Sequence, residues 1–205
     1  MIRFVIFLTL LLSFSVSQGQ GPINIGIKFG TNRSTMITNF DDVLNQNIIY
    51  EDVNNYLAGA FARISVGRLY LQPEAYFNTK GGLILPYGNE QFQTTPTNTS
   101  ISYQTVDLPV LLGIKLINRS LLNLRIHGGP VFSYVTANSM VSELSDFNVD
   151  DLNNRYMGWQ IGAGFDFWFL TVDASIENSS NIMNIDSNYQ VRNRTYLISA
   201  GIKLF

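Results

Sequence analysis

Few side chains in this 205-residue sequence could do chemistry, and its single histidine sets the limit. His127 could serve as a general base, with Asp107 or Glu74 orienting it and Ser133 as the nucleophile. Ser133, however, lies six residues further along the same extended segment, about 20 Å away by strand rise. The simpler reading is a hydrogen-bonded histidine with no catalytic duty. One histidine and no cysteine exclude multi-histidine and thiolate metal sites, disulfides and thiol nucleophiles. Asp146-Phe-Asn-Val-Asp150 opens like a calcium loop, D-x-N-x-D. Asp151 stands where that loop needs glycine, and Met157 where it needs a bidentate glutamate. These are read as solvated loop acids. Asn-x-Ser/Thr triplets such as Asn98-Thr99-Ser100 are expected by chance among 21 asparagines. Neither an enzymatic activity nor a cofactor is expected.

The remaining charges form a pattern of their own. Lys28, Arg63, Lys115, Arg125 and Lys203, with Glu74, Asp107, Asp166, Asp173 and Glu177, all fall on the polar side of alternating segments. That is five of each sign. Unpaired buried charge is expensive, so a shared interior would require these groups to satisfy one another. A charge network carried by Glu74, Asp107, Lys115, Arg125, Asp166 and Asp173 is therefore expected. Asp107 and Lys115 are about 26 Å apart on one strand and cannot pair. The expected contacts are Asp107–Arg125 or Glu74–Lys115, across neighbouring strands.

The elements that must position these groups are strands of period two. Val106, Leu108, Val110, Leu112, Ile114 and Leu116 share one face, opposite Asp107, Pro109, Leu111, Gly113 and Lys115. Leu122 to Tyr134, Met157 to Phe167 and Leu170 to Ile176 repeat the pattern, as do Leu69 to Phe77, Ile23 to Phe29 and Tyr196 to Leu204. Ala58, Ala60, Ala62 and Ile64 against Leu57, Gly59, Phe61 and Arg63 make the weakest strand, and bring the total to eight. Short connections near Ser65–Arg68, Asn118–Ser120 and Trp168–Phe169 alternate with long polar ones near 31–54, 80–98, 135–154 and 178–191. Short turns at one end and long loops at the other mark an outer-membrane barrel, with both termini on the short-turn, periplasmic side.

Which face meets lipid follows from what each carries. The polar faces hold Gly26, Gly113, Gly129, Gly158, Gly162, Gly164 and Gly201, which suits a crowded interior better than a solvated surface. Tyr134, Tyr156, Trp159, Phe167 and Trp168 sit near strand ends, where membrane girdles lie. The apolar faces are therefore assigned to lipid. The N-terminus agrees: Arg3, an apolar run from Phe4 to Leu12 and the small-x-small Ser17-Gln18-Gly19 read as a signal peptide over residues 1–19. The barrel domain is then 20–205, without a transmembrane helix. Residues 20–205 carry a net charge of -3, which gives no case for nucleic acid. Charged residues are 14% of the chain, well below the roughly 25% usual for soluble domains.

Several segments resemble the outer-membrane β-barrel family widespread in Bacteroidetes, the PorT-like group. They are Tyr70-Leu-Gln-Pro-Glu-Ala-Tyr-Phe-Asn-Thr-Lys-Gly81, Val106-Asp-Leu-Pro-Val-Leu-Leu-Gly-Ile-Lys115, Ile126-His-Gly-Gly-Pro-Val-Phe-Ser-Tyr134 and Gly158-Trp-Gln-Ile-Gly-Ala-Gly-Phe165, with the terminal Phe205. The resemblance covers essentially the whole of 20–205. It implies an all-β, eight-stranded antiparallel up-and-down transmembrane barrel in the cell outer membrane. It further implies a non-enzymatic scaffold or accessory factor, whose partners are outer-membrane lipid and other envelope or secretion proteins. A narrow channel or small-ligand-binding barrel is the alternative. In one departure, Lys203 and Gly201 hold places that assembly signals often fill with apolar residues in phase with the terminal aromatic.

Overall fold

A computed structural model of the chain describes residues 22–38, 48–51, 53–86, 99–141, 154–180, 183–186 and 189–204. The expected signal peptide, the Asp146–Asp150 motif and Phe205 lie outside the described residues. Every regular element among the described residues is a strand: β1 Ile23–Thr38, β2 Ile48–Glu51, β3 Val53–Val66, β4 Leu69–Pro86 and β5 Thr99–Asn118. These are followed by β6 Leu122–Val141, β7 Arg155–Phe167, β8 Leu170–Ser179, β9 Met183–Asp186 and β10 Tyr189–Lys203.

All pairings are antiparallel. The ladder runs β1-β3-β4-β5-β6-β7-β8-β10, and β10 returns to β1 from Gly26↔Lys203 to Thr38↔Val191. That last pairing closes an eight-stranded barrel. The four-residue β2 and β9 are short additions: β2 pairs with β4 on the line of β3, and β9 pairs with β10 on the line of β8.

Alternation along each strand sorts side chains as expected. On β7 and β8, buried and exposed residues alternate almost without exception. Leu112, Ile161 and Ile198 point outward, whereas Asp107, Leu111 and Val131 are fully buried inside. The weakest strand obeys the same rule, with Leu57, Phe61 and Arg63 inward and Ala60 and Ile64 outward. Glycines on the inner face make room for bulk opposite them. A Cβ on Gly113 would run into the ring of Tyr70, and one on Gly164 would meet the Arg125 guanidinium and the Asp173 carboxylate.

The short turns fall where expected. Gly67-Arg68 joins β3 to β4 with Gly67 at φ 61°, a conformation glycine adopts freely. Trp168-Phe169 joins β7 to β8, and Trp168 holds φ 54° despite its bulk. Its ring meets Phe169 edge-on at 4.5 Å, giving the short-turn rim an aromatic pair suited to a membrane interface.

The strands are longer than their apolar alternation suggests. β1 continues through Thr38, β4 through Pro86, β6 through Val141, and β5 begins at Thr99. The expected loops 31–54, 80–98 and 135–154 therefore begin or end inside the sheet. The reason is visible on β1: Asn32 and Ser34 still point inward and are buried, while outward Thr31 and Arg33 are polar. Once a strand rises above the lipid band its outer face need not be apolar, but the backbone ladder persists.

The outward face makes a direct prediction. Leu112 is 62% exposed in the middle of the lipid-facing band. Leu112→Arg should cost about 2–4 kcal/mol of folding free energy in lipid vesicles, as expected for arginine near the bilayer midplane. Leu112→Phe should be close to neutral, both read by urea titration of the gel-shifted folded form.

Candidate functional site

The inner face brings eleven charged residues of the described strands into one column. In its upper part Lys28 of β1 pairs with Glu74 of β4, and Gln72 donates to the same carboxylate. Lys80 of β4 lies 3.0 Å from Asp107 of β5 and 2.6 Å from Glu177 of β8. Asp107 also accepts from Ser133 at 2.6 Å and from Asn78 at 3.0 Å.

A second cluster occupies the part nearer the short turns. Arg63 of β3 meets Asp166 of β7 at 2.7 Å. Arg125 of β6 reaches Asp166 at 3.1 Å and Asp173 of β8 at 2.8 Å, and donates to Thr171 as well. Lys203 of β10 stands 3.8 Å from Asp166. In the ring of eight, β3 lies opposite β7 and β4 opposite β8. Arg63–Asp166 and Lys80–Glu177 therefore span the lumen diametrically.

Tyrosines fill the space between these pairs. Tyr70, Tyr76, Tyr103 and Tyr156 are buried inside. Lys28 sits 4.5 Å over the ring of Tyr76, Arg63 5.4 Å over Tyr70 and Lys80 5.4 Å over Tyr156. Such cation–π contacts are strongest where water is excluded. Tyr156 was expected in a membrane girdle. It instead faces inward, because it alternates with outward Met157 and Trp159 along β7.

The structure places the six expected network residues as follows. Glu74, Asp107, Arg125, Asp166 and Asp173 are buried in the lumen. Lys115 points to the same interior but is only half-buried, and no ion pair forms on it among the described residues. The expected Asp107–Arg125 and Glu74–Lys115 contacts do not form. Lys115 and Arg125 face each other directly across β5 and β6, so the adjacent strand offers each a like charge. Asp107 stands opposite Ser133 and takes its cation from Lys80. Lys80 was missed because it was assigned to a loop. Among the described residues it raises the inward cations to six against five acids, correcting the expected balance.

His127 does not meet Ser133, whose hydroxyl is given to Asp107. Its Nδ1 lies 3.4 Å from the Tyr70 hydroxyl and 3.9 Å from Asp173, and its Nε2 3.4 Å from Ser175. Serine, histidine and aspartate do come together here, but Asp173 is committed to Arg125 and the group is buried. The arrangement therefore gives a substrate neither an oriented base nor access. No cluster among the described residues could hold a metal ion.

A family model described as outer membrane protein beta-barrel domain matches residues 16–187. The crystal structure of the outer membrane protein OprG from Pseudomonas aeruginosa superposes with a TM-score of 0.50 at 10% identity, over 88% of this chain and 94% of that one. Neisserial surface protein A aligns at a TM-score of 0.47 and 8% identity, over 87% of this chain and 96% of that one. Ail, the attachment invasion locus protein of Yersinia pestis, aligns at 0.44 and 11%, over 88% and 97%. The OprG likeness is one of fold. No curated protein sequence matches the chain significantly.

Lys80 is the sharpest point at which to test the interior. Lys80→Met would strand two buried carboxylates, and removing one partner of a buried pair typically costs about 3–5 kcal/mol. Adding Asp107→Asn and Glu177→Gln should recover most of that loss. The deficit of Lys80→Met alone should shrink as pH falls, because protonation neutralises the stranded carboxylates. Urea unfolding of the three proteins at two pH values measures each of these.

Proposed function

The chain belongs to the outer membrane protein beta-barrel domain family, and from that premise we propose a non-conducting, non-enzymatic scaffold of PorT-like type, accessory to secretion or envelope assembly. It resides in the outer membrane as a closed eight-stranded barrel. The observation that carries the proposal is the filled lumen. Arg125, Lys80, Tyr70, Tyr76 and Tyr103 are among the largest fully buried side chains of the described residues, and all of them point into the lumen. Eight strands leave room only for their own side chains or one small ligand. An ion-selective pore also needs one dominant sign along its path, whereas here cations and carboxylates alternate in direct pairs. What remains for function is the outside: the two rims and the connections beyond them. The PorT-like resemblance of Tyr70–Gly81, Val106–Lys115, Ile126–Tyr134 and Gly158–Phe165 supports an accessory role there.

Two measurements test this reading. In planar bilayers the purified barrel should give no discrete single-channel steps. A photoreactive amino acid at rim position Ser120 should crosslink to the same envelope protein in repeated preparations, while one at lipid-facing Leu112 should not. Reproducible conductance steps, or equal labelling from both positions, would overturn the proposal.

A further inference from the structure

The lumen's charge is unevenly divided between its two halves. Among the described residues the upper half holds Lys28 and Lys80 with Glu74, Asp107 and Glu177, one acid in excess. The half nearer the short turns holds Arg63, Lys115, Arg125 and Lys203 with Asp166 and Asp173, two cations in excess. Asp166 is shared by Arg63, Arg125 and Lys203, and Asp173 is taken by Arg125. Neither acid comes within ion-pair distance of Lys115.

This excess surrounds a cavity. A space of about 320 Å³ opens at the short-turn mouth, lined by Arg63, Lys115, Lys203, Ser65, Asn123 and Asp166, among others. That volume falls at the small end of the range of about 300–1,000 Å³ for ligand pockets. Arg63 is only 2% exposed, yet its Nη2 has no hydrogen-bond partner, and neither do Ser65 Oγ and Asn123 Oδ1. A buried guanidinium nitrogen left unmatched in this way normally costs free energy. Its other nitrogens are used: Nη1 on Asp166 and Nε on Gln72. The Asp166 carboxylate on the cavity wall is already neutralised by the two arginines.

We propose that this mouth cavity binds a small oxyanion, a phosphate or phosphate-like group, presented from the periplasmic side. Arg63 Nη2, the Lys115 and Lys203 ammonium groups and the Ser65 hydroxyl supply the donors such a group requires. The site stands apart from the scaffold proposal, since a plugged barrel can carry it whether or not the rims have partners. Its chemistry fits either a free phosphate or the phosphate of a lipid headgroup at the inner surface of the membrane.

The test uses the barrel refolded in a non-ionic, phosphate-free detergent at low ionic strength and titrated calorimetrically with inorganic phosphate. Saturable one-site binding is expected. It should weaken about tenfold in Lys115→Gln and in Lys203→Gln, as expected for loss of one charge-assisted contact. Arg119→Gln, which removes an exposed charge from the same rim outside the cavity, should bind as the unaltered protein does. Lys115 makes no ion pair, so its removal should leave the fold intact, which the gel shift of the folded form verifies. A parallel titration with a short-chain phosphatidylglycerol distinguishes the sources: tighter lipid binding points to a headgroup, and tighter phosphate binding to the free ion. Absence of saturable binding to both, or equal weakening by Arg119→Gln and Lys115→Gln, would overturn the site.

Discussion

Hydrocarbon offers no partner for a backbone N–H or C=O, so a sheet that crosses a membrane must leave no edge. The pairing of β10 with β1 meets that requirement and makes the rest of the structure necessary. Once the sheet closes, every strand has one face toward lipid and one toward a narrow interior, and a residue's parity decides its solvent. Apolar side chains at Ile23, Leu112, Ile161 and Ile198 are then at home, and each charged residue of opposite parity is committed to the lumen. The connections obey the same ladder to the end: Arg68, Leu121 and Phe169 each give a backbone carbonyl to a neighbouring segment.

Closure at eight strands fixes how the committed charges can be satisfied. The lumen is narrow enough that Arg63 on β3 reaches Asp166 on β7, and Lys80 on β4 reaches Glu177 on β8, straight across. Neighbouring strands are poorer sources of partners where like charges face each other, as Lys115 and Arg125 do. Cross-lumen pairing braces the wall, and it also fills the axis that a channel would need. Polar inner residues beside the pairs add further hydrogen bonds: Asn78 and Ser133 on Asp107, Gln72 on Glu74, and Thr171 under Arg125.

The fold was legible because parity is a local signal. Each strand from Ile23 to Leu204 states its two faces in a handful of residues, and even the alanine-rich stretch of β3 sorted correctly. Tyr156 was misplaced although the signal existed: it has the parity of inward Gln160, opposite to that of Met157 and Trp159. Its place near a strand end suggests a girdle, but parity governs which way it faces. Lys80 was lost for another reason. Past Phe77 the next outward position is the polar Thr79, so the alternation breaks there while pairing continues to Pro86. Partner identity was not legible at all, because it depends on the stagger between distant strands. No sequence period encodes that Arg63 and Asp166, 103 residues apart, meet across the barrel.

The distribution of charge follows from desolvation. Six cations against five acids leave one positive charge over, and the uneven halves place two at one end. A surplus ammonium deep in the lumen would carry an uncompensated burial cost, whereas the same group at a mouth retains water. Lys115 is the cation of the cluster near the short turns that forms no ion pair, and it is the one left half-buried. Arg125, ten residues away in sequence and facing it across the ladder, is fully buried and carries two carboxylates. The difference between the two cations is therefore depth: the group that water can reach is left without a carboxylate, and the group that it cannot reach holds two. Among the described residues, positive charge is thus left over beside open space at the short-turn mouth, a consequence of packing eleven charges into a tube that only eight strands enclose.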